Sequence, residues 1–255
     1  MEQITLFLTT ATIHIIRYSL MAGIPFFIFY KKYGHRFSTN KIQQRIAGNK
    51  DFIREILHSM QTILVMGGVS VLLLATPLKA YSKIYMDISS YPIWWIPLSL
   101  LITLIIQDTY FYWVHRSLHH PKLFKTIHLE HHKSTNPSSF ASYSFHFLEA
   151  IIQAFIAPIL LFCLPLHPIV IVLYGTITFS LNVYGHLGFE IVPKWFRESW
   201  FFEILNTSVH HNMHHVKFKG NYGLFFRTWD RIMKTEHPDY EKAFDRIQLQ
   251  RFGKT

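Results

Sequence analysis

The sequence predicts an all-α fold, a polytopic membrane bundle of about four to five spans with a histidine-rich helical cap. Three observations lead there. Half of the 255 residues are hydrophobic, and they gather into long runs. Basic residues cluster beside those runs rather than inside them. Finally, 13 of the 17 histidines fall between His115 and His215, in groups at helical spacing near the ends of apolar runs. About 20 apolar residues cross a bilayer as a helix. The single cysteine, Cys163, lies in an apolar run, so neither a disulfide framework nor a cysteine-based metal site is available.

Residues 4–30 form the first run, broken by His14 and Arg17. A charge at the bilayer centre costs about 2.5–3.5 kcal/mol on insertion scales. Arg17 therefore faces the protein interior or marks a tilted segment, with a partly interfacial helix as the alternative. The N-terminus lacks the basic region and cleavage site of a removable signal peptide. Residues 31–54 carry Lys31, Lys32, Arg36, Lys41, Arg45, Lys50 and Arg54 against Asp51 alone, which reads as a cytoplasmic loop. It lacks interleaved aromatics, so the net charge of +10 points to an anionic membrane surface and not to nucleic acid.

Residues 60–78 are the second span, where Gly67 and Gly68 allow close helix packing. Residues 91–106 are the third, opened by Tyr91, Trp94 and Trp95 as interfacial anchors. That helix continues through Tyr110 and Trp113 to His115 and His119 with no breaker before Pro121. Residues 128–133 form a short helix. Apolar runs at 150–164 and 169–184 form a membrane hairpin, and residues 194–205 read as one interfacial amphipathic helix. The expected organisation is an N-terminal transmembrane region over 1–106, a catalytic region over 107–235 that includes the hairpin 150–185, and a polar tail over 236–255. If the basic loop is cytoplasmic, the spans alternate so that every clustered histidine lands on the cytoplasmic side.

Residues three and four apart on a helix share a face. The spacing thus groups His115 with His119, His128 with His131 and His132, and His211 with His214 and His215. His186 ends the hairpin. These nine exceed the four ligands of a structural zinc site and suit two adjacent metals with open positions. Neutral imidazole binds iron, zinc, copper and nickel. A zinc pair would support hydrolysis, and an iron pair oxygen chemistry.

Several further residues are candidates for the surroundings of that site. Asp108, two turns before His115, is placed to accept a hydrogen bond from a ligand imidazole, and Glu149 is placed to do the same. His120 and His210 stand beside ligands but off their phase. His146 lines the site or simply packs. Glu130 turns off the ligand face toward solvent, and Asp230 is expected in a turn or helix cap. His14, His35, His58, His167 and His237 are not expected as ligands.

The chain resembles the fatty acid hydroxylase/sterol desaturase superfamily over about Gln107 to Thr235. The resemblance is carried by Asp108 to His120, by His128-Leu-Glu-His131-His132, by Thr207-Ser-Val-His210-His211-Asn-Met-His214-His215, and by Asn221-Tyr222-Gly223 with Trp229-Asp230-Arg231. It departs where Ser208 stands for the usual proline and where His146-Phe147 stands for His-Pro. Asn182 occupies the position of a tenth histidine present in some members. The resemblance implies transmembrane helices capped by a cytosolic domain holding two irons. It also implies O2 activation, two electrons from a cytochrome b5- or ferredoxin-like partner, and hydroxylation or desaturation of a sterol-like or fatty-acyl lipid. A zinc-dependent membrane hydrolase and a metal-binding or metal-transport protein are the alternatives. Transport would call for ionisable residues in several spans, and apart from His14 and Arg17 the spans are nearly free of them.

Overall fold

The computed structural model describes residues 1–45 and 47–253. Among these residues there are helices, turns and isolated β-bridges, and no strand. Four helices are long and apolar enough to cross a membrane: α1 (Glu2–Lys32), α2 (Asn49–Leu74), α3 (Trp95–Leu118) and α5 (Pro168–Gly185). A shorter apolar helix, α4 (Phe147–Cys163), precedes α5. Two cap helices follow, α6 (Ser208–Lys217) and α7 (Tyr240–Phe252). The chain is an integral membrane protein. Ile13, Ile16, Leu20 and Ile24 of α1, with Leu57, Leu64 and Leu72 of α2, stand exposed as a surface for lipid.

Local chemistry sets the helix ends. Pro25 has no amide to donate to the Met21 carbonyl, so the regular helix stops there and α1 finishes as a π-helical stretch, Phe27–Lys32. The α2 helix starts earlier than expected because the Asp51 carboxylate accepts the Gly48 amide at 3.0 Å and caps it. Close approach falls to Gly67 alone: a Cβ there would meet the Phe7 ring at 3.1 Å, whereas Gly68 faces open space. The start of α3 slips from 91 to Trp95, after Pro92, and the helix then runs unbroken to the first histidines. A break at Phe155 divides α4, because Pro158 removes one bond and crowds the Ala154 carbonyl. Pro168 opens α5, where His167 Nδ1 accepts the Ile169 amide.

The core of the bundle joins Tyr18 and Ala22 of α1, Ile63 of α2, Phe179 and Val183 of α5, and Tyr143 and Phe145. A second core lies in the cap. Tyr240, Phe244 and Ile247 of α7 pack on Val209 of α6, with Ile42, Phe196 and Phe202. The stretch expected as a polar tail is therefore part of the cap. The expected single helix at 194–205 is instead two short pieces, Lys194–Glu198 and Trp200–Ile204, parted by extended Ser199. Phe196 and Phe202 are both buried. On one straight helix they would point about 120° apart, so burying both requires the break. Trp195 and Trp200 face outward.

The basic loop lies against the cap. Ile42 donates its amide to Gly188, Asn40 its side-chain amide to Glu190, and Gln43 to Asn212 Oδ1 at 2.8 Å. It thereby braces α6 between His211 and His214.

Candidate metal centre

Four parts of the fold bring the nine histidines together. The end of α3 supplies His115 and His119. The π-turn Phe124–His128 and the single turn Leu129–His132 supply three more, α5 ends at His186, and α6 supplies the last three. They form two groups, His115, His119, His128, His132 and His214 in one, and His131, His186, His211 and His215 in the other. Within each group the potential ligand atoms lie within 4.8 Å of one another. His119 alone is partly exposed; the other eight are buried.

The partition follows helical geometry. His115 and His119, His128 and His132, and His211 and His215 are each four apart and share a group, whereas His131 and His214 are three along from their motif's first histidine and enter the opposite group. Positions i+3 and i+4 lie on either side of i, about 100° from each other around the axis. One turn can therefore serve two adjacent centres.

Hydrogen bonds set the ring protons. Nδ1 of His115 donates to Tyr222 O, of His131 to Ser144 O, of His186 to Asn182 O and of His214 to Gly220 O, at 2.7–3.2 Å. A carbonyl only accepts, so in these rings Nε2 carries a lone pair. Yet Nε2 of His131 and His186 lie 3.3 Å apart with no proton between them. Nε2 of His119, His132 and His214 form a triangle with every edge 3.1 Å. One ring nitrogen is a donor or an acceptor, never both, so hydrogen bonding cannot satisfy all three edges. Nε2 of His115 and of His128 are enclosed without any partner. A cation at each centre removes these conflicts: two nitrogens at right angles around a metal, at 2.0–2.1 Å, are about 3 Å apart.

Burial keeps the rings neutral and hence ready to donate lone pairs. Desolvation, aided by neighbouring histidines, holds His128, His131, His132, His211, His214 and His215 well below the usual imidazole range. Desolvation brings His119 and His186 to about 4, against an opposing backbone hydrogen bond in each case.

The surrounding candidates separate clearly. Glu149 is buried with Oε1 at 2.8 Å from His128 Nδ1. Asp108 does not reach an imidazole. Its carboxylate accepts the Phe225 and Phe226 amides and so holds the loop whose Tyr222 carbonyl receives His115. Asn182 donates its side-chain amide to Ser142 O at 2.7 Å while its backbone carbonyl holds His186. His120 is exposed and caps the Pro121 turn, and His146 caps α4; neither ring joins the two groups. His210 is buried on another side of α6, edge-on to Tyr240. Glu130, expected in solvent, is instead partly buried between Lys133, His58 and Arg54.

Three supports escaped the sequence reading. Gly220 and Tyr222 act through backbone carbonyls, which have no side-chain signature. The available signal was Gly220 itself, whose φ of +77° suits glycine and turns the chain back toward α6. Glu190 is fully buried, accepting Tyr184 Oη at 2.6 Å and the Ile191, Val192 and Val209 amides. Asp230 accepts the Tyr222 and Gly223 amides and the Thr235 hydroxyl at 2.7–2.9 Å. Asp230→Ala strands two buried amides and is expected to cost about 3 kcal/mol, read as a lower unfolding temperature in detergent.

The family described as fatty acid hydroxylase matches residues 100–235, just over half of the chain. Lathosterol oxidase of Rattus norvegicus is 38% identical over 184 residues, 70% of this chain and 59% of the relative. The Homo sapiens lathosterol oxidase is 32% identical over the same shares. A Delta(7)-sterol 5(6)-desaturase of Aspergillus fumigatus is 31% identical over 194 residues, 75% of this chain and 53% of the relative. The chain thus spans little more than half the length of these relatives. No solved structure matches it.

Proposed function

This chain belongs to the fatty acid hydroxylase family, and on that premise we propose that it is an O2-dependent hydroxylase or desaturase of membrane lipids. Its nine histidines hold two irons. Bound iron supplies O2 activation, with two electrons and two protons delivered from outside the chain. The observation that carries the reading is the convergence of two neutral histidine groups whose lone pairs hydrogen bonds cannot satisfy.

The chain's own residues do the rest. Carbonyls of Ser144, Asn182, Gly220 and Tyr222 orient four imidazoles before any metal arrives. All nine imidazoles are neutral and would leave the positive charge of a bound metal uncompensated. Asn182, where some members of the family carry a tenth histidine, has its side-chain amide held by Ser142 O, and the other residues of its group would supply the ligands. The apolar outer faces of the helices let a sterol-like or fatty-acyl substrate arrive from the bilayer. The names of the sterol-oxidising relatives support the sterol-like choice. The basic loop that lies against the cap supports a cytoplasmic placement of the histidines, where a cytochrome b5- or ferredoxin-like donor would dock.

Glu149 is assigned the role of holding His128 in the tautomer that presents Nε2. Glu149→Gln is expected to lower iron affinity about 10–100-fold, measured by chelator competition. Unchanged iron affinity would remove that role.

The reading is tested on protein purified in detergent. Two irons per chain, with O2 uptake that needs both reductant and lipid, are expected. Lipid cleavage under anaerobic conditions with zinc would replace the oxidase by a hydrolase.

A further inference from the structure

Arg17 stands 15 residues from either end of the 31-residue α1, about 22 Å along the axis from each. A guanidinium at that depth has to be compensated. Arg54, Arg197, Arg227 and Arg231 each reach a carboxylate; Arg17 reaches none among the described residues. Its Nη2 donates to Tyr143 Oη at 2.9 Å and to His14 Nδ1 at 2.8 Å, and its Cζ lies 5.4 Å from the Phe179 ring centroid. Those neighbours are all neutral in charge. Of the five guanidinium N–H groups, Nη2 uses its two. Nε is enclosed with no partner.

The room left by the missing side chain at Gly175 is taken by the other nitrogen. A Cβ on Gly175 of α5 would come within 2.7 Å of Nη1, so any side chain there would displace the guanidinium. The same short stretch that binds Arg17 also touches the histidines. Tyr143 precedes Ser144, whose carbonyl holds His131, and the Phe145 ring lies 5.0 Å from that of His131.

We propose that Arg17, seated against Tyr143 and Gly175, is a receptor at mid-membrane depth for an anionic oxygen group at the end of an apolar chain. A carboxylate supplies the missing counter-charge and two acceptor oxygens for the free guanidinium face. A neutral hydroxyl supplies no charge. The site holds the acidic end of a lipid in the bundle, one layer from the metal centre. Its service to a substrate rests on the oxidase reading, but binding needs no turnover, so the two can fail separately.

The test is equilibrium binding of radiolabelled oleate and methyl oleate to the full chain in neutral phosphatidylcholine nanodiscs. Oleate is expected to bind at least about tenfold tighter than its ester. Arg17→Gln should erase that preference and leave ester binding and iron content unchanged. Gly175→Ala, which keeps the charge but pushes the guanidinium from its seat, should weaken oleate alone. Competition by phosphatidylglycerol would assign the anion to a bilayer headgroup, and its absence to a free acid; either supports the receptor. Equal affinity for acid and ester in the wild-type chain, or a preference that survives Arg17→Gln, overturns it. Should Arg17→Gln fail to fold, the wild-type comparison and Gly175→Ala still decide.

Discussion

His131→Ala is expected to abolish lipid oxidation, by well over the roughly 100-fold that loss of an outer support can cost, and to lower iron content by about half. The reason lies in the sharing of the motif between two centres. His131 belongs to the four-histidine group, where its Nε2 lies 3.3 Å from that of His186, and its neighbour His132 belongs to the other. His131→Ala leaves three imidazoles at one centre and five at the other. His132→Ala leaves four at each. His131→Ala should keep about one tightly bound iron and His132→Ala, with four imidazoles at each centre, about two, and the two variants should differ spectroscopically because their coordination differs. His237→Ala is the control: among the described residues that ring meets Lys217 and Asp239 and belongs to neither histidine group, and both iron and turnover should be unaffected. Full iron and full activity in His131→Ala would falsify the shared centre.

The partition itself was only half legible in the sequence. Spacing placed all nine histidines near helix ends, and the resemblance implied two metals. Yet three and four residues along a helix are both on the near face, so the sequence could not say that His131 and His132 part company. Their division depends on having two centres side by side, which needs α6 and the ends of α3 and α5 to converge on the turn at 124–132. The spans were legible because lipid demands long apolar runs, and their ends moved by several residues wherever a proline or a cap intervened. The supports were least legible. Glu149 meets His128 across 21 residues, and the carbonyls that orient four rings belong to residues of unremarkable type. The helix at the C-terminus was hidden by its polarity: only Tyr240, Phe244 and Ile247 face the cap, too few to raise the hydropathy of the stretch.

Iron removal is expected to lower the unfolding temperature by about 10 °C, a figure that follows from the way the centre is built. Eight of the nine rings are buried, and burial holds them neutral. Without a cation, lone pairs face each other at 3.1–3.3 Å, and Nε2 of His115 and His128 have no partner at all. Each buried unsatisfied nitrogen costs about 1–3 kcal/mol. Bound metal removes that penalty, so its binding free energy becomes folding free energy. A ligand present at a thousand times its dissociation constant adds about 4 kcal/mol, and each kcal/mol moves the midpoint of a chain this size by about 2–4 °C. The loss should be local. Tyr18, Ile63 and Phe179 pack together in the bundle with no histidine from either group, so α1 and α2 should keep their amide protection. The amides of α6 and of the Leu129–His132 turn, whose side chains meet only through the two centres, should exchange faster once iron is gone. In a His119→Ala/His131→Ala/His214→Ala triple variant, which leaves three imidazoles in each group, chelation should change little. If wild-type protein stripped of all iron unfolds at the same temperature and protects α6 equally, the histidines are held by packing alone, and the case for metal as a structural member of the cap is lost.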